Sequence, residues 1–237
     1  MIKHTCSLLL VLIGGALCSQ DTLRHPSISP VPAYALSGGL IVGGLILDLG
    51  DTKRDVRDWV IDNLGTTTND LDDILQHAPI AMMYLHDLAH SESATEVGRQ
   101  TRHMITTQAL TIGGSLLLKE IINNKRPSGG SYAFPSGHTA YSFAGATVLY
   151  HTLKEERPFW AWSGYLPAVT VGAFRILKDR HWVSDVVFGA GYGILCAHLT
   201  YDLNIWDSAN NRELDEGHLS HLKLTTTAHG YGLVYTF

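Results

Sequence analysis

The sequence predicts an all-α fold, a bundle of about six helices, ending in a short C-terminal β-hairpin. Three observations predict it. Residues 25–47, 103–118, 127–153, 158–174 and 186–201 contain no Asp, Glu, Lys or Arg, and dense clusters such as 51–58 and 154–157 separate them. Long uncharged blocks joined by short charged connectors suit helix bodies and their loops. No alternation of helix and strand patterns occurs along them. Only the tail is β-prone, in Leu222 to Thr227 and Tyr231 to Phe237 around Ala228-His229-Gly230.

Taken in order, Lys3 and His4 precede an apolar run from Leu8 to Leu17, followed by Ser19-Gln20-Asp21. That is the order of a secretory signal peptide over 1–18, with cleavage after Cys18. Cleavage removes Cys6 and Cys18 and leaves Cys196, which has no partner for an internal disulfide. The first helix covers 33–47 and is rich in glycine, permitting close backbone approach. Asn69 or Asp70 caps a second helix through about 90, with Asp72 and Asp73 in its first turn and a kink at Pro79. A third runs from about 97 to 123 and ends before Pro127. The fourth starts after Pro135 and reaches 153, the fifth spans 159–177 with an interruption at Pro167, and the sixth spans 181–203. The domain expectation is a helical domain over 19–210 and a tail with the hairpin over 211–237.

Composition bounds the function. The chain has 237 residues, 45% hydrophobic and 16% charged, with a formal net charge of −5. Soluble domains carry about 25% charged residues, so this chain is charge-poor. Such apolar content excludes overall disorder. The net acidic balance argues against a nucleic-acid partner, since no long surface neutralises a phosphate backbone. Membrane insertion stays open, because the uncharged blocks hold apolar stretches shorter than the roughly 20 residues of a bilayer span.

Three clusters at helix ends carry chemistry. Lys119-x6-Arg126-Pro127 places two cations on one face near the end of the third helix. Pro135-Ser136-Gly137-His138 opens the fourth, where free N–H groups form an anion site, Gly137 admits a ligand close to the backbone, and His138 stands by to donate a proton. Arg175-x5-His181-x3-Asp185 sets a histidine and a carboxylate four apart on one helix face, so that Asp185 orients the ring and leaves its other nitrogen as a nucleophile. Singly, each reads as an ordinary helix terminus or surface ion pair. Together they offer what a phosphoryl group needs: cations and N–H donors for its oxygens, a nucleophile and a general acid. Lys125, Lys178 and Arg180 add positive potential.

These residues resemble the signature of the type 2 phosphatidic acid phosphatase superfamily, which also holds bacterial acid phosphatases and vanadium haloperoxidases. The resemblance implies a metal-independent mechanism without a cofactor. His181 attacks phosphorus to form a phosphohistidine, Asp185 holds its ring, and His138 protonates the leaving alcohol. Lys119, Arg126, Arg175, Ser136 and the Gly137 amide bind the phosphate oxygens. With the export signal, it implies a phosphomonoesterase of the bacterial periplasm or envelope membrane, membrane-associated, its site on the periplasmic side and its substrate a lipid phosphate.

Two departures stand out. Phe174 replaces the serine that the family places before the arginine, which removes one hydroxyl donor, and the gap from Pro127 to Pro135 is short. The alternatives are a soluble nonspecific acid phosphatase, a vanadate-dependent haloperoxidase in which vanadate is a cofactor rather than an inhibitor, and a non-catalytic phosphate-lipid binding protein. His86 and His90 share i,i+4 spacing but lack a third metal ligand nearby, so packing is expected there.

Overall fold

The computed structural model describes residues 31–203, 222–227 and 230–235. The signal-peptide expectation over 1–18 lies outside them. Nine helical segments occur among the described residues: α1 (Val31–Leu49), α2 (Thr52–Leu64), α3 (Leu71–Leu75), α4 (Ala78–His90), α5 (Ala94–Ile122), α6 (Gly137–Leu153), α7 (Pro158–Ser163), α8 (Tyr165–Leu177) and α9 (Val183–Asp202).

The expectation of about six helices with a β-hairpin in the fold class is corrected: the class is all-helical, with nine helical segments among the described residues. Residues 31–203 hold no strand at all and form a purely helical bundle. The segments Leu222–Thr227 and Gly230–Tyr235 pair antiparallel with each other as a two-stranded ribbon, with Leu222 opposite Tyr235 and Thr227 opposite Gly230. A lone two-stranded ribbon is marginal in water and does not define a fold class. The helix number differs because local breaks divide what periodicity joins. The charged stretch 51–58, expected as a connector, opens α2, with Arg54 paired to Asp51 and only Val60 buried. Pro79 does not kink a helix; it lies in the first turn of α4, where its missing N–H costs nothing, and the break falls at Gln76 and His77. Pro167 likewise stands in the first turn of α8, and Gly164 makes the break.

Capping fixes the helix ends that matter. Asn69 Oδ1 accepts from the Leu71 N–H (2.8 Å) ahead of α3. Ser93 Oγ accepts from the Glu96 N–H (3.2 Å) to start α5. Asn123, at φ 41°, ends α5 in the left-handed region that asparagine tolerates.

The core lies around α6, which is buried along most of its length and packs Val148, Leu149 and Leu153 against Met83, Met104, Ala161 and Ala197. Helix α9 crosses α6 and α1 at very short range. A Cβ at Gly193 would stand 2.2 Å from the Ala140 carbonyl oxygen, and one at Gly191 would stand 2.7 Å from that of Ser37. Only glycine permits these approaches. They bring the N-terminal ends of α6 and α9 side by side.

Candidate phosphate-binding site

The site is assembled where the C-terminal ends of α5 and α8 meet the N-terminal ends of α6 and α9. Loop 123–136 is tightly bonded: the Arg126 N–H donates to the Gly130 carbonyl (2.6 Å), that of Gly129 to the Arg126 carbonyl (3.0 Å), and that of Ala133 to the Asn124 carbonyl (2.9 Å). The Ser136 N–H donates to the Asp185 carbonyl (3.0 Å), joining the two helix starts through the main chain. The Trp182 indole N–H donates to the Lys125 carbonyl (2.8 Å) and secures the loop from the other side.

His181 is buried at 3% exposure. Its Nδ1 lies 3.3 Å from Asp185 Oδ2, and the same oxygen accepts the Trp182 N–H (2.9 Å). Asp185 therefore both caps α9 and holds the ring. Burial, with Lys119, Arg175 and Arg126 nearby, drives the imidazole well below its ordinary range. Burial lifts the Asp185 carboxyl to about 7, so above that pH a carboxylate holds a neutral ring among three cations, an arrangement suited to attack an anionic centre.

The cations are pre-set. Lys119 Nζ donates to the carbonyls of Pro135 (2.7 Å) and Tyr132 (2.8 Å). Burial and Arg126 lower its ammonium to about 8. Arg126 Nε and Arg175 Nε are buried and have no hydrogen-bond partner among the described residues. Two unsatisfied guanidinium donors beside a neutral histidine are a demand for an anion. Ser136 Oγ bonds to Thr139 Oγ1 (2.8 Å) rather than to the helix backbone. Gly137 and His138 line a cleft of about 230 Å³ with Lys119, Ser115, Ile112, Leu116, Gln76 and Tyr141. All eight residues singled out from the sequence lie at this end of the bundle.

Sequence reasoning missed the acidic counterpart. Asp72, on α3 and wholly buried, accepts from Arg175 Nη1 (2.5 Å) through one oxygen and from Lys178 Nζ (2.9 Å) through the other. Burial alone would raise its carboxyl, but the bonds from Lys178 and Arg175 hold it below the ordinary carboxylate range. Asp73 Oδ1 lies 2.9 Å from His138 Nε2. Asp48, at the end of α1, accepts from Lys53 (2.6 Å) and Ser184 (3.2 Å). The sequence signal at 72–73 is two adjacent acids in a helix first turn, which the helix dipole already explains.

Asp72, Asp73 and His138 also make up the one group of three metal-ligating side chains among the described residues. Arg175 and Lys178 occupy both oxygens of Asp72, so the group is set against cations rather than for one. His86 and His90 stack on each other (4.1 Å between centroids), and His90 Nδ1 bonds to the His86 carbonyl (2.9 Å).

Residues 99–207, which hold every one of the eight, match the PAP2 superfamily, and the chain carries a PAP2 superfamily domain. Among characterised proteins it is similar to a lipid A 1-phosphatase of Porphyromonas gingivalis, 29% identical over 191 residues, covering 77% of this chain and 38% of the relative. It is also similar to a lipid A 1-phosphatase of Helicobacter pylori, 33% identical over 76 residues, covering 32% of this chain and 38% of the relative. The chain thus spans well under half the length of the curated relatives it matches. A crystal structure of a transmembrane PAP2 type phosphatidylglycerolphosphate phosphatase from Bacillus subtilis aligns at 15% identity with a TM-score of 0.47, covering 80% of this chain and 99% of that one.

Proposed function

We propose that this protein is a phosphatase that removes a phosphate monoester from an envelope lipid, with lipid A as the first candidate substrate, through a phosphohistidine on His181. The observation that carries the reading is the neutral, carboxylate-held His181 facing two guanidinium groups with unsatisfied N–H donors. Arg126, Arg175, Lys119 and the first N–H groups of α6 bind the phosphoryl oxygens, whose charge grows on them in the transition state. His181 forms the N–P bond as the P–O bond to the leaving alcohol breaks, and His138 gives that oxygen its proton. His138 then takes a proton from water, which attacks phosphorus and releases orthophosphate and free His181. No metal enters these steps.

Membrane association is supported by the outer surface. Ile105, Ile112, Leu116, Leu117 and Ile121 along α5, with Leu166 and Val169 on α8, are large, apolar and exposed. Exposed apolar surface of this extent marks a membrane or partner contact. Helix α9 is long and apolar enough to cross a bilayer. The reading places the site on the periplasmic face of an envelope membrane.

The test is orthophosphate release by the full chain in detergent micelles from lipid A, phosphatidate, phosphatidylglycerophosphate and a polyprenyl diphosphate. Release is expected, fastest from lipid A; release from none of them would overturn the reading. A second expectation concerns pH. Lys119 is cationic below about 8 and loses its charge as pH rises through that value. kcat/KM for para-nitrophenyl phosphate, whose leaving group departs without a proton, is expected to fall through this range. Lys119→Arg should carry the plateau to higher pH, because guanidinium keeps its proton. An identical limb in the variant would assign the titration elsewhere.

A further inference from the structure

The sequence offers one histidine–carboxylate pair four residues apart, His181 just ahead of α9 and Asp185 in its first turn. The fold builds a second across 65 positions, between α3 and α6. Asp72, gripped by Arg175 and Lys178, fixes α3 against the end of α8. That leaves its neighbour Asp73, half exposed, with one oxygen 2.9 Å from His138 Nε2 and 3.6 Å from the Arg175 guanidinium. Neither Asp73 nor α3 belongs to the segment matched by the family.

We infer that Asp73 is the positioning residue for the general acid: it accepts the Nε2–H of His138, so that Nδ1 carries the proton delivered to the leaving oxygen. The inference rests on the phosphatase reading above. The proton balance is simple. The Nε2 proton stays on the ring, the Nδ1 proton passes to the leaving oxygen as the P–O bond breaks, and Nδ1 recovers a proton from the attacking water. The arrangement repeats the logic of the nucleophile, in which a carboxylate fixes one ring nitrogen and leaves the other to react. The groups facing His138 are Asp73 and Asp72 from α3 and Arg175 from α8. Burial and Arg175 disfavour its charged form, whereas Asp73 and Asp72 favour it. The net effect holds the imidazole below its ordinary range, and Asp73 fixes the ring's orientation while opposing that fall.

The cleft lies on the same side. His138 lines it together with Ile112, Leu116 and Tyr141, so the leaving alcohol, which must be next to the general acid, enters a largely apolar space. A proton is needed most where that alcohol is a sugar or glycerol hydroxyl, a poor leaving group.

The experiment compares wild type, Asp73→Asn and Asp73→Glu, full chain in detergent micelles, on a lipid phosphate and on para-nitrophenyl phosphate. Asp73→Asn should lower kcat on the lipid phosphate by about tenfold to a hundredfold, the lower reach of general-acid catalysis. The loss on para-nitrophenyl phosphate should be much smaller, since that phenolate leaves unaided. The alkaline limb on the lipid phosphate should move to lower pH, and Asp73→Glu should restore part of the rate. The ratio of the two rates within one preparation is independent of how much enzyme is folded. An equal loss on both substrates, no loss on either, or a gain in kcat/KM on removing the carboxylate would overturn the inference. A wild type silent on both substrates would overturn the phosphatase reading instead.

Discussion

Replacing His181 with alanine is expected to abolish phosphate release, by about 10⁴-fold or more, while leaving the fold and the anion site in place. Losses of that order follow removal of a nucleophile that acts as a unit with its partners. His181 is the only nitrogen base that is both buried among Lys119, Arg126 and Arg175 and held by a carboxylate at this end of the bundle, among the described residues. The fold should survive because Asp185 keeps its capping bond from the Trp182 N–H, and the Ser136 N–H still reaches the Asp185 carbonyl. Vanadate or orthophosphate should therefore still bind. The measurement pairs turnover with a search for an acid-labile phosphoryl label on the protein during turnover of wild type. A variant that still releases phosphate near the wild-type rate, or a wild type that never carries the label, would remove the phosphohistidine from the mechanism.

Arg175→Ala should fail in two ways at once. Its guanidinium binds the buried Asp72 through Nη1 and leaves Nε unsatisfied within the site. Removing one partner of a buried ion pair typically costs about 3–5 kcal/mol, because the remaining charge is stranded. Lys178 stays on the other oxygen of Asp72, which puts the expected loss near the bottom of that range, about 3 kcal/mol. Turnover should fall as well, by about 10²-fold or more, with one oxyanion donor gone. Arg175→Lys separates the effects: it should recover most of the stability by keeping a cation beside Asp72, but little of the activity, because an ammonium cannot present the fork of donors. Denaturant unfolding followed alongside phosphate release makes the comparison. Alanine and lysine variants of equal stability would show that Asp72 does not depend on Arg175.

The catalytic candidates were legible because they lie within 67 residues of one another and at fixed spacings on helix ends. The spacings located these groups, but not as shared helix faces: α5 ends at Ile122 ahead of Arg126, and α9 starts at Val183 after His181, so loop bonds and the Asp185 cap bring each pair together. Helix bodies were legible wherever charge was excluded, as in α5, α6 and α9. Boundaries were not, because Pro79 and Pro167 look the same in a first turn as at a kink, and only neighbours decide between them. Helix α2 was hidden by its charge: a mostly exposed helix with a single buried residue carries no apolar stripe to read. Asp72 and Asp73 were invisible for a different reason. Their partners are more than 60 positions away, and nothing local distinguishes an acid that stabilises a helix start from one that reaches across to a guanidinium.

The reach of α3 bears on where the working unit of this protein begins. The family-matched segment, 99–207, holds Arg175, Lys178 and His138 but none of the carboxylates at 70, 72 and 73 that face them. A fragment cut to that segment would leave Arg175, Lys178 and His138 without the carboxylates of α3 that face them. The smallest competent piece must therefore start upstream of Asp70. Relatives are also better compared by what supplies this acidic turn than by the shared signature, since the signature does not contain the carboxylates that face Arg175, Lys178 and His138.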